Sequence, residues 1–291
     1  MYGDADMLEA LYWEPADKGA VRCMLCPHRC MIADGITGIC GTRKNTGGRL
    51  MASGYGVVSS IALDPIEKKP LYMFHPGKRV LSIGGYGCNL KCPFCQNYEI
   101  SMVRTGSKIK HRYTPEEIVE LAVKTVEDNN IGVAYTYNEP LIGYEFLTDC
   151  AALVKNEGLK NVVVTNGNIC EEPLEAMLPL IDAMNIDLKG FTEEFYKRVG
   201  GSLETVKKTI QQAQKQCHVE VTTLVIPGEN ESDVEDITKW LSAISPEIPL
   251  HLSRFFPRYK YSEMEPTPRE TIYKLCNVAG KYLKNVFAGN V

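Results

Sequence analysis

Cys88, Cys92 and Cys95 stand in the run Gly-Cys-Asn-Leu-Lys-Cys-Pro-Phe-Cys-Gln-Asn, a C-x3-C-x2-C spacing that follows the apolar stretch Val80 to Ile83. Four-iron clusters normally take four cysteine thiolates. Three leave one iron without a protein ligand, and an open metal position is where metal chemistry takes place. A structural zinc loop is the other reading of such a spacing. His75 lies well before the motif and His111 well after it, so neither is an obvious fourth ligand. A second set, Cys23, Cys26, Cys30 and Cys40, is spaced C-x2-C-x3-C-x9-C. Four thiolates satisfy tetrahedral zinc and close the site. They equally satisfy a second [4Fe–4S] cluster, serving electron transfer or substrate contact. His28, inside this loop, reads as a solvated or supporting group rather than a ligand.

Other chemistry-bearing residues stand singly. Asp187 and Lys189 alternate with apolar Ile186 and Leu188, and charges on a nearly buried strand are costly unless paired or functional. Lys68, Lys69, Arg254, Arg258 and Lys260 are the basic groups expected to face an open rim, the plainer reading of each being a solvated charge. His251 falls within an expected strand and reads as a satisfied core histidine. No G-x-S-x-G, P-loop or H-E-x-x-H pattern occurs.

These residues need elements to hold them, and from about residue 78 strands and helices alternate. Val80–Ile83, Gly132–Thr136, Val162–Thr165, Met184–Leu188, Val219–Ile226, Leu250–Ser253 and a short Asn285–Phe287 read as strands. Thr114-Pro115-Glu116-Glu117 is a capping box with proline at N1. Leu141 to Asn156 reads as a helix stopped by Gly158. A helical stretch starts at about Glu171, and Ser202 caps another helix running to about Gln216. Ser232-Asp233-Val234-Glu235 and Thr267-Pro268-Arg269-Glu270 read as two further capping boxes. Repeated β-then-α units argue a parallel sheet with right-handed crossovers. Six or seven units are too few for a closed eight-stranded barrel. The cysteine loop, Asn138-Glu139-Pro140, Asn166-Gly167, Lys189, Pro227-Gly228 and Arg254 all fall just past an expected strand end, where such folds collect their chemistry. The expected division is a Cys-rich region, residues 1–77, and an α/β core, residues 78–291.

The 291 residues suffice for one large α/β domain with a small appendage. A net charge of −4 and a pI near 5.8 argue against nucleic acid as the main partner. No apolar run approaches the ~20 residues of a membrane span, and the acidic start, Met1 to Asp6, lacks a signal-peptide pattern. The expectation is a cytoplasmic protein with no membrane partner. Of eleven cysteines, seven fall in the two clusters, which without an export signal reads as metal ligation rather than disulfides. Cys150, Cys170, Cys217 and Cys276 read as buried thiols.

With Phe94 before its third cysteine, the C-x3-C-x2-C loop resembles that of the radical S-adenosylmethionine (radical SAM) superfamily. Tyr137-Asn138-Glu139-Pro140, Val164-Thr165-Asn166-Gly167, Asp187-Leu188-Lys189 and Val225-Ile226-Pro227-Gly228 follow in the order seen in activating enzymes of the pyruvate formate-lyase type. Asp64-Pro65-Ile66-Glu67-Lys68-Lys69-Pro70-Leu71-Tyr72, the four-cysteine N-terminus and Ala288-Gly289-Asn290 make the chain similar to the AmmeMemoRadiSam system branch. The resemblance runs from about Cys23 to Asn290.

It implies a partial (β/α)6 barrel open on one side, with a [4Fe–4S] cluster on Cys88, Cys92 and Cys95. The free iron takes the amino and carboxylate groups of S-adenosylmethionine, and reductive cleavage gives a 5′-deoxyadenosyl radical that abstracts hydrogen. The cofactor carries the chemistry and the protein supplies placement. Phe94 is implied near the adenine, compatibly with a core role. Glu139, with Asn138, stands where the superfamily has Gly-Gly-Glu, whose acid meets the methionine ammonium; read alone, it is a surface Glu-Pro turn. Thr165 and Asn166 are implied at the ribose or methionine part, against the plainer reading of an Asn-Gly turn. Asp187, Lys189 and Arg254 belong to the same implied cofactor rim. In activating enzymes an aspartate opens the second motif and helps bind a monovalent cation; here Val164 replaces it. Reduced ferredoxin or flavodoxin is the implied electron donor. The implied substrate is a glycyl-radical protein, another protein side chain or a small molecule. A different class of function is a non-enzymatic iron–sulfur or zinc protein, an electron carrier or scaffold, which needs no cleavage of S-adenosylmethionine.

Overall fold

Short hairpins come first and a long parallel sheet follows. The structure, a computed structural model, describes residues 8–104 and 111–291, so the stretch Met1 to Asp6 lies outside it. β1 (Trp13–Pro15), β2 (Val21–Cys23) and β3 (Met31–Ile32) form a small antiparallel sheet, and β4 (Arg43–Thr46) pairs with β5 (Arg49–Ala52). β6 (Ser60–Pro65) runs antiparallel to β7 (Arg79–Gly84) and so joins the main sheet. From β7 onward neighbours are parallel and in chain order: β8 (Asn130–Tyr135), β9 (Lys160–Thr165), β10 (Ala183–Asp187), β11 (His218–Val225), β12 (Leu250–Arg254) and β13 (Val286–Gly289). β6 and β13 are the two edges of this partial barrel. Helices α1 (Tyr98–Ser101), α2 (Pro115–Lys124), α3 (Tyr144–Asn156), α4 (Glu171–Met177), α5 (Glu193–Val199), α6 (Leu203–Ala213), α7 (Val234–Ile244) and α8 (Arg269–Ala279) fill the crossovers.

Period-two alternation along the strands sorts the core into two layers. Ala134, Val162 and Ala183 sit side by side on the inner face, with Val80 two residues before the β7 partner of Ala134, and Ile66 and Leu71 from the segment after β6 join them. The larger layer, including Ile83, Val163, Met184 and Val221, packs the outer face against the helices. Two residues further along each strand, the inner face carries Thr136, Val164, Asn185, then Asp187. The same alternation brings Thr222, Leu224 and Ser253 inward.

The capping box at α2 is formed: Thr114 Oγ accepts from Glu117 N at 3.3 Å and Glu117 returns to Thr114 N at 2.8 Å. The other two expected boxes are not. Ser232 lies inside a 3-10 turn, Glu231–Asp233, and Asp233 caps α7 without a side-chain bond. Thr267 is fully buried and donates instead to the Val225 carbonyl at 2.7 Å, leaving Pro268 at the start of α8. At Thr267 a tertiary partner outcompetes the local motif. α5 was not expected. Thr192 caps it, accepting from Phe195 N at 3.1 Å, and Gly200 ends it at φ +80.

Candidate active site

One cavity of about 330 Å³ opens at the carboxyl ends of the strands. Cys88, Cys92, Phe94 and Cys95 enter it from the loop after β7, Asn138 and Glu139 from β8, Thr165 and Asn166 from β9, and Asp187 and Lys189 from β10. The cysteine loop is fixed from both sides. Asn138 accepts from Gly85 N at 2.9 Å and donates to the Tyr86 carbonyl at 3.0 Å. Asn166 Nδ2 donates to Asn89 Oδ1 at 2.9 Å and lies 3.6 Å from Cys88 Sγ. Asn89 in turn donates to the Asn168 carbonyl at 2.7 Å. Tyr137, where the superfamily's first glycine would stand, adopts φ +70 without being glycine.

Glu139 is 3% exposed, so the surface-turn reading fails. Its Oε1 accepts from Leu141 N at 3.0 Å and from Thr165 Oγ at 2.6 Å, and its Oε2 from Asn166 N at 2.8 Å. Burial pushes its pKa up to about 7, against the pull of those hydrogen bonds and of Lys189. Lys189 Nζ pairs with Asp187 Oδ2 at 2.8 Å. Burial opposes its charge, but Asp187 and Cys92 hold its pKa above the ordinary lysine value. Burial raises the Cys88 thiol well above its usual range, with Glu139 adding to the effect, and lifts Cys92 to about 12. Even with the Lys189 ammonium near Cys92 these thiols stay protonated, and metal binding is what would deprotonate them.

Phe94 is buried between Phe195 and Tyr261, ring centroids 6.2 and 6.0 Å away, while also lining the cavity. Arg254 is not brought to the cavity. Its neighbour Ser253 faces inward, so alternation turns Arg254 away, where Nε donates to the Thr267 carbonyl at 2.6 Å and the guanidinium lies over Phe256. Lys68 and Lys69 do line it, rising from the segment after β6 rather than from the strand-end rim. Sequence reasoning missed Asn89, Tyr137, Thr222 and Ser253. Alternation along β11 and β12 carries the signal for the last two; Asn89 and Tyr137 become legible only once the loops are folded.

The four N-terminal cysteines are free and lie near one another: Cys26 is pushed up by burial and further by Cys40, Cys23 and Cys30. Arg43 Nη1 donates to Cys23 Sγ at 3.5 Å. His28 Nε2 contacts the Asn89 carbonyl at 2.7 Å, joining this loop to the one that carries Cys88, Cys92 and Cys95. At Gly87, φ +78, a Cβ would sit 2.2 Å from the Cys40 carbonyl, so only glycine permits this approach. Among the described residues no three His, Cys, Asp or Glu groups close on a point suited to a single ion. Cys88, Cys92 and Cys95 line a common wall instead, and a cluster's ligands each meet a different iron.

The Radical SAM superfamily model matches residues 82–241. The chain is 44% identical over 292 residues to a Methanocaldococcus jannaschii protein named uncharacterized protein MJ0808, covering 98% of this chain and 86% of that one. It is 29% identical over 229 residues to a protein of the same organism named as a glycyl-radical enzyme activating enzyme, MJ1227, covering 73% and 89%. Among solved structures, Streptococcus suis SuiB bound to S-adenosylmethionine aligns with a TM-score of 0.53 at 12% identity, covering 70% of this chain and 48% of that one. At that identity the likeness is one of fold. Among the described residues no helix is long and apolar enough to cross a membrane.

Proposed function

The chain belongs to the radical SAM superfamily, whose enzymes cleave S-adenosylmethionine reductively, and we propose that Cys88, Cys92 and Cys95 hold its [4Fe–4S] cluster. The observation that carries this reading is convergence: three thiols, Glu139, Asn166 and the Asp187–Lys189 pair line one cavity at the strand ends. The donor set suits the group, since thiolates are the ligands of iron–sulfur clusters. When bound, the reduced cluster supplies the electron that splits S-adenosylmethionine into methionine and a 5′-deoxyadenosyl radical for hydrogen abstraction.

The chain's own residues bind and orient. Glu139 Oε2 accepts one hydrogen bond already and has capacity for the methionine ammonium, a charge-assisted bond. Lys189, held by Asp187, offers an ammonium to the methionine carboxylate. Thr165 and Asn166 fix Glu139 and face the ribose or methionine part. Phe94 gives an apolar wall for the adenine. Asn138 keeps the cysteine loop in place, and the buried Cys92 and half-buried Cys88 limit the access of water to the cluster from the core side.

The substrate reading follows the relatives named as activating enzymes: a protein side chain or glycyl-radical enzyme, with small molecules as the alternative. Reduced ferredoxin or flavodoxin is the proposed donor. The four N-terminal cysteines lie near one another without closing on a single point, and are proposed to hold a second metal, either zinc with the loop drawn in around it or a second [4Fe–4S] cluster spanning them. A purely electron-carrying or scaffold role is not favoured, because it gives Glu139 and Lys189 nothing to do. The test is product analysis. Protein reconstituted anaerobically and reduced with S-adenosylmethionine should form 5′-deoxyadenosine, and replacing Cys88, Cys92 and Cys95 together by Ala should abolish it. Undiminished product from the triple variant would refute the assignment.

A further inference from the structure

We propose that His28 is a positioning residue that raises the reduction potential of the cluster on Cys88, Cys92 and Cys95, acting through the peptide group that joins Asn89 to Leu90. This deepens the cluster assignment made above and rests on it.

The four-cysteine loop presents His28 on a turn. Arg29 N donates to the Cys26 carbonyl at 3.1 Å and closes the turn Cys26-Pro27-His28-Arg29, with proline at its second position. The His28 backbone N–H faces the Cys26 thiol. The ring reaches the other way, and its Nε2 lies 2.7 Å from the Asn89 carbonyl. A carbonyl only accepts, so Nε2 carries the hydrogen and donates. Among the described residues no other donor meets this carbonyl. His28, Cys40, Cys88 and Asn89 line one cavity of about 120 Å³, which shares Cys88 with the strand-end cavity.

The other end of the same peptide group is the Leu90 N–H, which donates to Cys88 Sγ at 3.3 Å. Three groups therefore stand in series: the His28 N–H, the Asn89–Leu90 peptide and the Cys88 sulfur. A donor on a carbonyl polarises its peptide and strengthens the bond made by the N–H at the far end. Asn89 also acts on the sulfur from a second direction. Its Oδ1 takes Asn166 Nδ2 at 2.9 Å, and that amide lies 3.6 Å from Cys88 Sγ. Holding the Asn89 backbone thus holds both of these N–H groups on the sulfur.

Hydrogen bonds to cluster sulfurs tune the reduction potential. When a reduced donor passes one electron to the oxidised cluster, no bond forms or breaks and the added negative charge spreads onto the sulfurs. A polarised N–H on Cys88 Sγ stabilises that charge and raises the potential. A histidine that only pinned the two loops together would leave the potential where it was.

The test is a redox titration of the cluster-loaded protein with dithionite and mediator dyes, followed by the [4Fe–4S]⁺ electron paramagnetic resonance signal. His28→Phe keeps a planar ring and removes the donor; His28→Gln keeps a donor. The midpoint in His28→Phe should move to more negative potential by about threefold in the one-electron equilibrium constant, the lower end of what one hydrogen bond contributes, or roughly 30 mV at about 59 mV per tenfold. His28→Gln should recover most of that shift, with iron content and protease resistance matching the parent in both variants. Equal potentials in the parent and His28→Phe overturn the proposal, as does a shift that His28→Gln shares in full. Should His28→Phe not load its cluster, the parent decides: ¹⁵N-histidine resonance should show His28 as the Nε2–H tautomer, and the Nδ1–H tautomer overturns the proposal. A parent without the cluster signal refutes the cluster assignment and this proposal with it, whereas an intact signal with unmoved potentials refutes the role of His28 alone.

Discussion

Glu139 shows how a single side chain changes meaning between sequence and structure. In the sequence it is one acid before a proline, in a motif lacking both glycines of the pattern it resembles. Folded, it is buried with three donors on its carboxylate, which no window of neighbouring residues reveals because Thr165 and Asn166 come from the next strand. Its raised pKa gives a signed prediction. The ammonium of S-adenosylmethionine binds the ionised form, while free Glu139 is half protonated at about pH 7. An α-amino group stays mostly charged below its own pKa of about 7.7–8.0. Affinity should therefore tighten about fivefold from pH 6 to pH 7 as the proton no longer has to be expelled. Glu139→Gln should flatten that profile and weaken binding by roughly 1.5–3 kcal/mol, the range for a hydrogen bond to a charged group. Equilibrium binding at the two pH values checks both; a parallel slope in the variant would assign the titration to another group.

At the scale of elements, the alternating β and α units were legible because each is long enough to show its period. The segment after β6 was not, since it holds a single 3-10 turn, Ile66–Lys68, and no strand, too short to show a period. It enters the barrel with Ile66 and Leu71 and is latched there by Glu220 on β11. That fully buried carboxylate accepts from Tyr72 N at 3.0 Å and Met73 N at 2.8 Å, with His218 Nε2 at 2.9 Å and His251 Nε2 at 2.6 Å. His251 is thus a core histidine, as its place in a strand suggests. Burial alone would raise the Glu220 pKa, but the imidazole and backbone hydrogen bonds win and lower it to about 2. A lowered carboxylate pKa contributes stability above its unfolded value and loses it as pH falls through the folded one. The latch should therefore hold down to about pH 4.5 and fail progressively toward pH 2. Glu220→Gln removes one acceptor oxygen and should cost roughly 1–3 kcal/mol in denaturant unfolding, the penalty for leaving a buried donor unsatisfied. It should also quicken amide exchange at Tyr72 and Met73. An unchanged midpoint and unchanged exchange would mean the segment is held by its apolar contacts alone.

Over the whole molecule, the Cys-rich start rests on the barrel through contacts that its sequence does not advertise. Its strands are two to four residues long, too short for a readable period, and its docking partners are distant in sequence. Glu145 on α3 takes Leu11 N at 2.8 Å and forms a buried ion pair with Arg43. Tyr12 packs edge-on against Tyr144, Thr42 donates to the Ile142 carbonyl, and Leu25 accepts from Cys170 N. Arg43 also faces Cys23, so a cation stands ready beside thiolates whose combined charge would exceed that of the metal they bind. Burial and mutual repulsion disfavour these thiolates without a metal, and a closed four-thiolate site should therefore contribute folding free energy. Metal analysis of anaerobically purified protein separates the occupants: one zinc with about four irons per chain, or about eight irons and no zinc, following four irons per cluster. In either case Cys23→Ala should expose the β1–β3 sheet to proteolysis. Glu145 and Tyr144 still hold the docking face from the barrel side, so the zinc case leaves the spectrum of the remaining cluster largely intact. The two-cluster case loses about half the iron. If the purified protein carries neither metal at this site and Cys23→Ala resists protease as the parent does, the region is held by its docking contacts and the four thiols are not ligands.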